Sequence, residues 1–337
     1  MMRQADNLIF EGGGILGISY LGVLDYLIQN GWMSTVTRVA GTSAGAITAC
    51  VASFNLPFKG ISTIAESLDY SKVPSKSSLD KLDFIPADIR KALDELFGDI
   101  NCMYRLVHEY GWYSTEYFYS WIQKKIADQF DIAKKRPPYT FADFKDPSLH
   151  KDNRPFLDLY VIGTNLTMKS SSVFSYETTP QMEVAKAIRI SMSIPLFFEA
   201  VITDDPEISG NSMTNVFCDG GAIRNYPLNL FDSPRYNPYL YYGVNMNTLG
   251  VRFKSTLQYS PIDNLLAYIE SLLHLSSYIQ QEIYESNPLN QERTIVIDAY
   301  NVSPLDFNVE ANDTTYRFLY DQGYAAAMAH FNKSSTR

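Results

Sequence analysis

The sequence predicts an α/β protein with a mostly parallel central sheet, helices on both faces of the sheet and an inserted helical cap. The first 54 residues alternate strand and helix patterns twice, which is typical of parallel sheets because parallel neighbours need a crossover connection. Strand signals nearly vanish between residues 58 and 155 and return at residue 157. The length of 337 residues fits one large domain with an insertion, or two domains.

The N-terminal elements follow from apolar runs and glycine positions. Residues 7–10 are an apolar run that stops at Glu11 and three glycines, as expected of a buried strand that enters a tight loop. Apolar residues at helical spacing predict a helix over 18–30. β-branched residues predict a second strand over 35–40, and a run of small residues predicts a helix over 46–54.

Residues 58–155 are predicted to form a mostly helical cap, because they carry helical periodicity, turn signals and charge clusters. Aromatic residues concentrate at 112–125. We interpret them first as the core face of an amphipathic helix and alternatively as a cover over an apolar site. The most basic turn, residues 134–138, is interpreted as a solvated loop, with lipid-headgroup contact as the weaker alternative.

The C-terminal half returns to a mixture of strands and helices. Its predicted strands are 157–166, 172–176, 197–202, 216–218, 239–244 and 294–298. Its predicted helices are 181–192, 261–285 and 311–331. The chain is therefore interpreted as one domain over residues 1–337, in which residues 250–337 form an extension of helices and a strand packed on the rest.

Charge and composition exclude several classes of function. The formal net charge is −9 and the pI is about 5.0, which argues against non-specific nucleic-acid binding and against bulk attraction to anionic membranes. No apolar run is long enough for a transmembrane helix, and the first strand begins too early to leave room for a signal peptide. We expect a soluble protein of cytoplasmic type, with secretion as an effector as an alternative.

Histidine and cysteine usage argues against metal and disulfide sites. The four histidines have no metal-ligand spacing, and the three cysteines are far apart without a C-x-x-C pair, which indicates reduced thiols. None of the histidines has a local setting that marks it as a catalytic base. We expect neither a metal nor an organic cofactor.

The first candidate motif is the run GGGILG at residues 12–17, between a predicted strand and a predicted helix. It satisfies the G-x-G-x-x-G pattern, but no acidic residue ends the second strand, so a dinucleotide site is disfavoured. Successive glycines can instead present main-chain N–H groups to an anion, either a phosphate or the oxyanion of a tetrahedral intermediate. A tight turn without any ligand is the structural alternative.

The second candidate is GTSAG at residues 41–45, where a predicted strand meets a predicted helix. Small flanking residues permit the strained turn that exposes a serine nucleophile above the sheet edge. A serine nucleophile needs a base, and the third candidate is Asp219, which follows a short strand and precedes two glycines. An ordinary Asp-Gly turn is the alternative reading of Asp219.

In this order, the three motifs resemble those of the patatin-like phospholipases, which are lipid acyl hydrolases with a Ser-Asp dyad. The stretches 161–166, 187–195 and 225–227 are also similar to bacterial members, and the resemblance covers about residues 8–247. It implies a three-layer sandwich fold, Ser43 as nucleophile and Asp219 as base. It further implies glycines in two roles: an oxyanion hole from the main chain of Gly12, Gly13 and Gly14, and support of the elbow and turns by Gly17, Gly41, Gly45, Gly220 and Gly221.

The resemblance implies a phospholipid or another lipid ester as substrate and a transient contact with the membrane surface. A protein activator and acyl transfer to an alcohol stay open. One position departs from the family, because Leu16 stands where a basic residue is usual. That departure motivates the alternative of a catalytically weak protein that binds lipids or a partner on the same fold.

Overall fold

The computed structural model describes residues 5–76, 89, 91, 99–255 and 259–335. In these ranges the strands, β1 to β10 in chain order, are Asn7–Phe10, Arg38–Thr42, Gly111–Tyr113, Asp158–Asn165, Ser170–Ser175, Leu196–Phe198, Val201–Thr203, Asn215–Asp219, Thr248–Phe253 and Thr294–Ile297. The α-helices, α1 to α12, are Ser19–Gln29, Ala44–Ser53, Phe58–Glu66, Ile100–His108, Glu116–Ala127, Phe141–Phe144, Val184–Met192, Pro206–Ser209, Gly221–Arg224, Leu265–Glu285, Pro288–Glu292 and Thr314–Ser335.

The main sheet has the order β10-β9-β1-β2-β4-β8-β7, and β5 also pairs with β4. The five strands from β10 to β4 are parallel, whereas β5, β7 and β8 pair with their neighbours in antiparallel fashion. The expected α/β class with a mostly parallel sheet is therefore confirmed, with antiparallel strands added on one side.

Alternate residues of the central strands enter cores on opposite faces of the sheet. Leu8 and Phe10 belong to the large core, whereas Ile9 belongs to a smaller core with Tyr226 and Phe231. On the large-core face, α1 packs closely against α12. A Cβ atom on Gly323 would lie 1.8 Å from the carbonyl oxygen of Ser19, so this helix contact requires glycine.

One strand prediction in the C-terminal half is wrong, and another covers two separate strands. Residues 239–244 form a turn in which Tyr242 and Gly243 have positive φ angles. The aromatic residues of this segment are typical of strands, and this is why the sequence pattern predicts one here. The strand lies instead at Thr248–Phe253, where Gly250 and Arg252 interrupt the apolar pattern although the whole strand is buried. Residues 197–202 divide between β6 and β7, which belong to different sheets.

The C-terminal residues also contribute strands to the main sheet. β9 pairs with β1, and β10 pairs with β9, so part of segment 250–337 completes the sheet beside the N-terminal strand. Among the described residues, no helix is long and apolar enough to cross a membrane.

The described part of residues 58–155 is mostly helical, and it contains the short strand β3. This strand pairs with β6, and a buried carboxylate beside it holds the insertion to the core. Glu199 accepts hydrogen bonds from the N–H of Thr115 at 2.8 Å and from the guanidinium of Arg189 at 2.8 Å. Part of the predicted cap, residues 77–88, 90 and 92–98, lies outside the described residues.

Candidate active site

Ser43 stands at a strained turn between β2 and α2. Its φ and ψ angles are 54° and −126°, a conformation that costs free energy and that the surrounding packing must enforce. Gly41 and Gly45 make this turn possible, because a Cβ atom on Gly41 would lie 2.1 Å from the carbonyl oxygen of Gly45. The hydroxyl of Ser191 accepts a hydrogen bond from the N–H of Ser43 at 2.9 Å, and this bond helps to hold the turn in place.

Asp219 ends β8, which meets β2 head to head along one edge of β4. Thr42 of β2 pairs with Ile162, and Asp219 pairs with the next residue, Gly163. Because β5 occupies the other edge of β4 over the same residues, β2 and β8 must share one edge. Asp219 therefore lies beside the end of β2 that leads to Ser43, displaced from Thr42 by one residue spacing of about 3.4 Å along β4.

Asp219 is buried and its two carboxylate oxygens differ in their contacts. Oδ1 accepts a hydrogen bond from the N–H of Gly221 at 2.7 Å, whereas Oδ2 makes no hydrogen bond of normal geometry to a described residue. Burial raises the pKa of Asp219 to about 7, and the nearby Ser43 hydroxyl and the Gly221 N–H lower it only in part. A carboxyl group with this pKa can exchange a proton with Ser43 near neutral pH.

The glycine loop begins after β1 and lies beside the turn of Ser43. Its N–H groups are not equivalent, because Gly12 donates to the carbonyl oxygen of Asn225 at 3.1 Å. The N–H groups of Gly13 and Gly14 donate to none of the described residues. Gly14 has a φ of +55°, and a Cβ atom there would lie 2.0 Å from the carbonyl oxygen of Pro304. This structure therefore leaves Gly13 and Gly14, and not Gly12, as free donors.

The remaining predicted glycines all lie close to the two strand ends. A Cβ atom on Gly17 would lie 2.8 Å from the Cβ of Ala44, at the start of α2. One on Gly220 would lie 2.5 Å from the carbonyl oxygen of Ile162. Gly221 begins α9 and donates to Asp219. The predicted site residues thus converge on one place in the fold.

Leu16, the unusual residue of the glycine loop, points away from this site. Its side chain is buried in the large hydrophobic core and does not line the cavity beside Ser43. The N–H of Leu16 donates to the carbonyl oxygen of Gly13 at 3.1 Å and so closes a turn of the loop. The leucine therefore contributes to packing of the loop, not to the polar surface of the site.

Three supporting residues carry roles that the sequence motifs do not identify. Asn225 uses its side-chain amide to donate to the carbonyl oxygen of Gly12 at 3.1 Å and to Glu11 Oε1 at 3.4 Å. Glu11 Oε2 accepts from the N–H of Phe253 at 2.8 Å, and burial raises the pKa of Glu11 to about 7. Ser191, the third, donates to the carbonyl oxygen of Ile162. A local signal for Ser191 and Asn225 existed, since both lie in the stretches that resemble the family.

Next to Ser43 lies a narrow apolar cavity of about 100 Å³, here called the acyl cavity. None of the described residues that line it is charged. They come from the glycine loop, α1, α2, the cap, the stretch from the end of α7 to β6 and the segment after β10. The aromatic stretch of the cap contributes Phe118 and Trp121, which are both buried and line this cavity. The interpretation of that stretch as part of a cover therefore gains support beside its packing role.

None of the four histidines lines the acyl cavity. His150 lies in an aromatic cluster of the cap, where its ring nitrogens contact the carbonyl oxygens of Arg154 and Asp143 at 2.8 and 3.0 Å. Over the described ranges, no group of three or more histidine, cysteine or acidic side chains is arranged to hold a metal ion. The basic turn at 134–138 is largely exposed, with Lys134 and Lys135 near acidic partners, as predicted for a solvated loop.

Comparisons with known proteins agree with the motifs. The family model of the patatin-like phospholipases matches residues 8–232. Protein R571 of Acanthamoeba polyphaga mimivirus is 26% identical over 328 residues, which cover 94% of this chain and 90% of that protein. Probable lipid hydrolase 463L of Invertebrate iridescent virus 6 is 25% identical over 225 residues, which cover 66% of this chain and 62% of that protein.

Among solved structures, VipD from Legionella pneumophila is similar with a TM-score of 0.57 and 19% sequence identity, over 98% of this chain and 67% of that chain. This likeness extends the match in fold to nearly the whole chain, including the C-terminal strands that complete the sheet. The family model covers well over half of the residues. The chain therefore belongs to the patatin-like phospholipase family.

Proposed function

We propose that this protein is a lipid acyl hydrolase of the phospholipase A or lysophospholipase type, in which Ser43 and Asp219 form a catalytic dyad. The observation that carries the proposal is the meeting of β2 and β8 along β4, which brings a strained serine and a buried carboxylate together. The family membership and the named lipid hydrolase 463L among its relatives support a lipid ester as the substrate.

The reaction begins with transfer of the Ser43 hydroxyl proton to Asp219 while Oγ attacks the ester carbonyl carbon. The N–H groups of Gly13 and Gly14 stabilise the oxyanion of the tetrahedral intermediate. As the intermediate collapses, the carbon–oxygen bond to the leaving alcohol breaks, and that alcohol takes the proton from Asp219. Water then attacks the acyl-enzyme and gives a proton to Asp219, and collapse returns this proton to Ser43 as the fatty acid leaves.

The acyl cavity gives the lipid a place beside the nucleophile. Its lining is mostly apolar and includes Ser43 together with the cap residues Phe118 and Trp121. An acyl chain that enters such a cavity leaves water, and its ester carbonyl is then held at the serine. Because natural lipid substrates reside in membranes, the reaction requires a transient contact between the protein and a membrane surface.

The direct test is turnover of p-nitrophenyl butyrate by the wild type, Ser43→Ala and Asp219→Asn. We expect activity in the wild type and its loss in both variants, with unchanged thermal unfolding of Ser43→Ala as evidence of folding. Equal activity in all three proteins would contradict the dyad. Adding an alcohol acceptor and analysing the products separates hydrolysis from acyl transfer.

A lipid- or partner-binding protein with weak turnover is the second candidate, motivated by the apolar Leu16 in the glycine loop. Restoring a basic residue with Leu16→Arg separates the two. Under the hydrolase proposal this change damages the core and lowers activity, because the Leu16 side chain is buried there. A gain of activity would favour the second candidate.

A further inference from the structure

A second cavity of about 600 Å³, here called the headgroup groove, adjoins the acyl cavity. Phe307 lines both cavities, and Phe198 of the acyl cavity lies next to Phe197 of the groove, with ring centroids 4.7 Å apart. The two cavities therefore share an aromatic wall. A ligand that extends from one to the other would have an apolar part beside Ser43 and another part in the groove.

The groove lies within a short distance of the glycine loop. The carbonyl oxygen of Pro304 accepts a hydrogen bond from the N–H of Ile15 at 3.0 Å, so this chain segment starts at the loop. Asp306 lines the groove only two residues later. Since two extended residues span at most about 7 Å, the groove begins close to the site of the ester bond.

The polar groups of the groove carry charges of both signs, in contrast to the acyl cavity. Lys72 and Lys76 supply two cations from the N-terminal part of the cap, and Asp306 supplies an anion from the segment after β10. Lys72 pairs with Asp69 at 2.7 Å, and both side chains are well exposed. An exposed ion pair is weak, so Lys72 can exchange this partner for a phosphate at little cost.

Aromatic rings complete the groove. Tyr113, Tyr117, Phe197 and Phe307 all line it, and Tyr113 lies against Phe197 with ring centroids 4.9 Å apart. Aromatic faces attract alkylammonium groups, and a nearby carboxylate adds to this attraction. The groove thus combines the two kinds of group that a zwitterion requires.

We propose that the headgroup groove binds the zwitterionic headgroup of a phospholipid, with the phosphate at Lys72 and Lys76 and the ammonium at Asp306 and the aromatic rings. This inference rests on the proposed function, because it assigns the ester of the same lipid to Ser43. It names phosphatidylcholine-like or phosphatidylethanolamine-like lipids as the substrate class. Because the net charge of the protein is −9, its overall field does not attract a phosphate, and a local pair of cations is needed to bind one.

The test measures binding in the Ser43→Ala protein, so that it does not depend on turnover. Short-chain dihexanoyl phosphatidylcholine is compared with dihexanoylglycerol, which has the same acyl chains and no headgroup. We expect the phospholipid to bind at least about tenfold more tightly than the diacylglycerol. When Lys72→Gln and Lys76→Gln are added to Ser43→Ala, the two lipids should bind with equal affinity. The matched control Lys169→Gln, an exposed lysine in the turn between β4 and β5, should leave the ratio unchanged.

A third lipid tests the ammonium side of the groove. Asp306→Asn should weaken binding of dihexanoyl phosphatidylcholine more than that of dihexanoyl phosphatidylglycerol, which has a phosphate but no ammonium. Equal affinity of Ser43→Ala for the phospholipid and the diacylglycerol would overturn the proposal. The proposal would also be overturned if the two lysine substitutions weakened the binding of both lipids by the same factor.

The two proposals fail separately. Absence of p-nitrophenyl butyrate turnover in the wild type, together with a headgroup preference in Ser43→Ala, would contradict the hydrolase and support the groove. Turnover without any headgroup preference would support the hydrolase and overturn the groove.

Discussion

Gly12 and Asn225 form a reciprocal pair of hydrogen bonds. The N–H of Gly12 donates to the main-chain carbonyl oxygen of Asn225 at 3.1 Å, and the side-chain amide of Asn225 donates to the carbonyl oxygen of Gly12 at 3.1 Å. Asn225 follows α9, the short helix after Asp219, whereas Gly12 begins the glycine loop. This pair therefore couples the position of the proposed base to that of the proposed oxyanion donors.

Replacing Asn225 by Ala should lower kcat for p-nitrophenyl butyrate by about tenfold to hundredfold, with a smaller change in KM. The side-chain bond to the glycine loop is lost, and the loop then shifts relative to Ser43. The matched control is Asn229→Ala, an exposed asparagine four residues further along the chain. Equal kcat values for the two variants would show that the pair does not position the site.

The activity should rise with pH through about 7, because only the carboxylate form of Asp219 accepts the Ser43 proton. Below that pH, kcat/KM should fall about tenfold per pH unit. Glu11, whose pKa is also about 7, lies near the site through Asn225, so the profile is measured in Glu11→Gln as well. If kcat/KM of the Glu11→Gln variant still changes with a midpoint near pH 7, the titrating group is Asp219. A value of kcat/KM that stays constant from pH 5 to pH 9 would contradict this assignment.

Asp219→Asn should be more stable than the wild type at pH 8. The folded pKa of Asp219 is raised above its ordinary value of 3.8, so this group favours folding at low pH, and that contribution is lost as the pH rises through about 7. The difference between the folded pKa of about 7 and the ordinary value of 3.8 limits the gain in stability at pH 8 to about 4 kcal/mol. Thermal unfolding at pH 4 and pH 8 measures it, and a gain that is larger at pH 4 would have the wrong sign.

Filling the acyl cavity should reduce activity on long acyl chains selectively. Ala65 lies on α3 and lines the cavity, so Ala65→Phe should lower the activity ratio of p-nitrophenyl octanoate to p-nitrophenyl acetate by about tenfold. Thr63→Phe adds the same ring on the exposed face of the same helix and is the control. If both variants keep the wild-type ratio, the acyl chain lies elsewhere.

Much of the site could be predicted from the sequence, because its chemistry resides in short local patterns. The turns around Ser43 and Asp219 need glycine on either side, and the glycine loop follows a strongly apolar strand, so each leaves a clear local signal. The first strand and the first helix also follow from local patterns, an apolar run and apolar residues at helical spacing.

The rest depends on contacts between residues far apart in the chain. β8 runs antiparallel to β4, and its end lies beside the end of β2 only because both strands pair with β4 in a particular register. The strand at Thr248–Phe253 has no clear strand pattern, because its glycine makes room for Tyr226: a Cβ atom on Gly250 would lie 1.8 Å from the Tyr226 hydroxyl. The buried Arg252 is paired with Glu285 of α10, a partner that no local pattern indicates.

The proposal that Ser43 is a nucleophile activated by Asp219 can be tested without a lipid substrate. The most direct measurement is labelling with a fluorophosphonate probe, followed by mass spectrometry of the labelled peptide. We expect stoichiometric labelling of the wild type at Ser43, no labelling of Ser43→Ala, and labelling of Asp219→Asn that is slower by about 100-fold or more. Labelling of Ser43→Ala at the wild-type rate, or attachment of the probe at another residue, would contradict it.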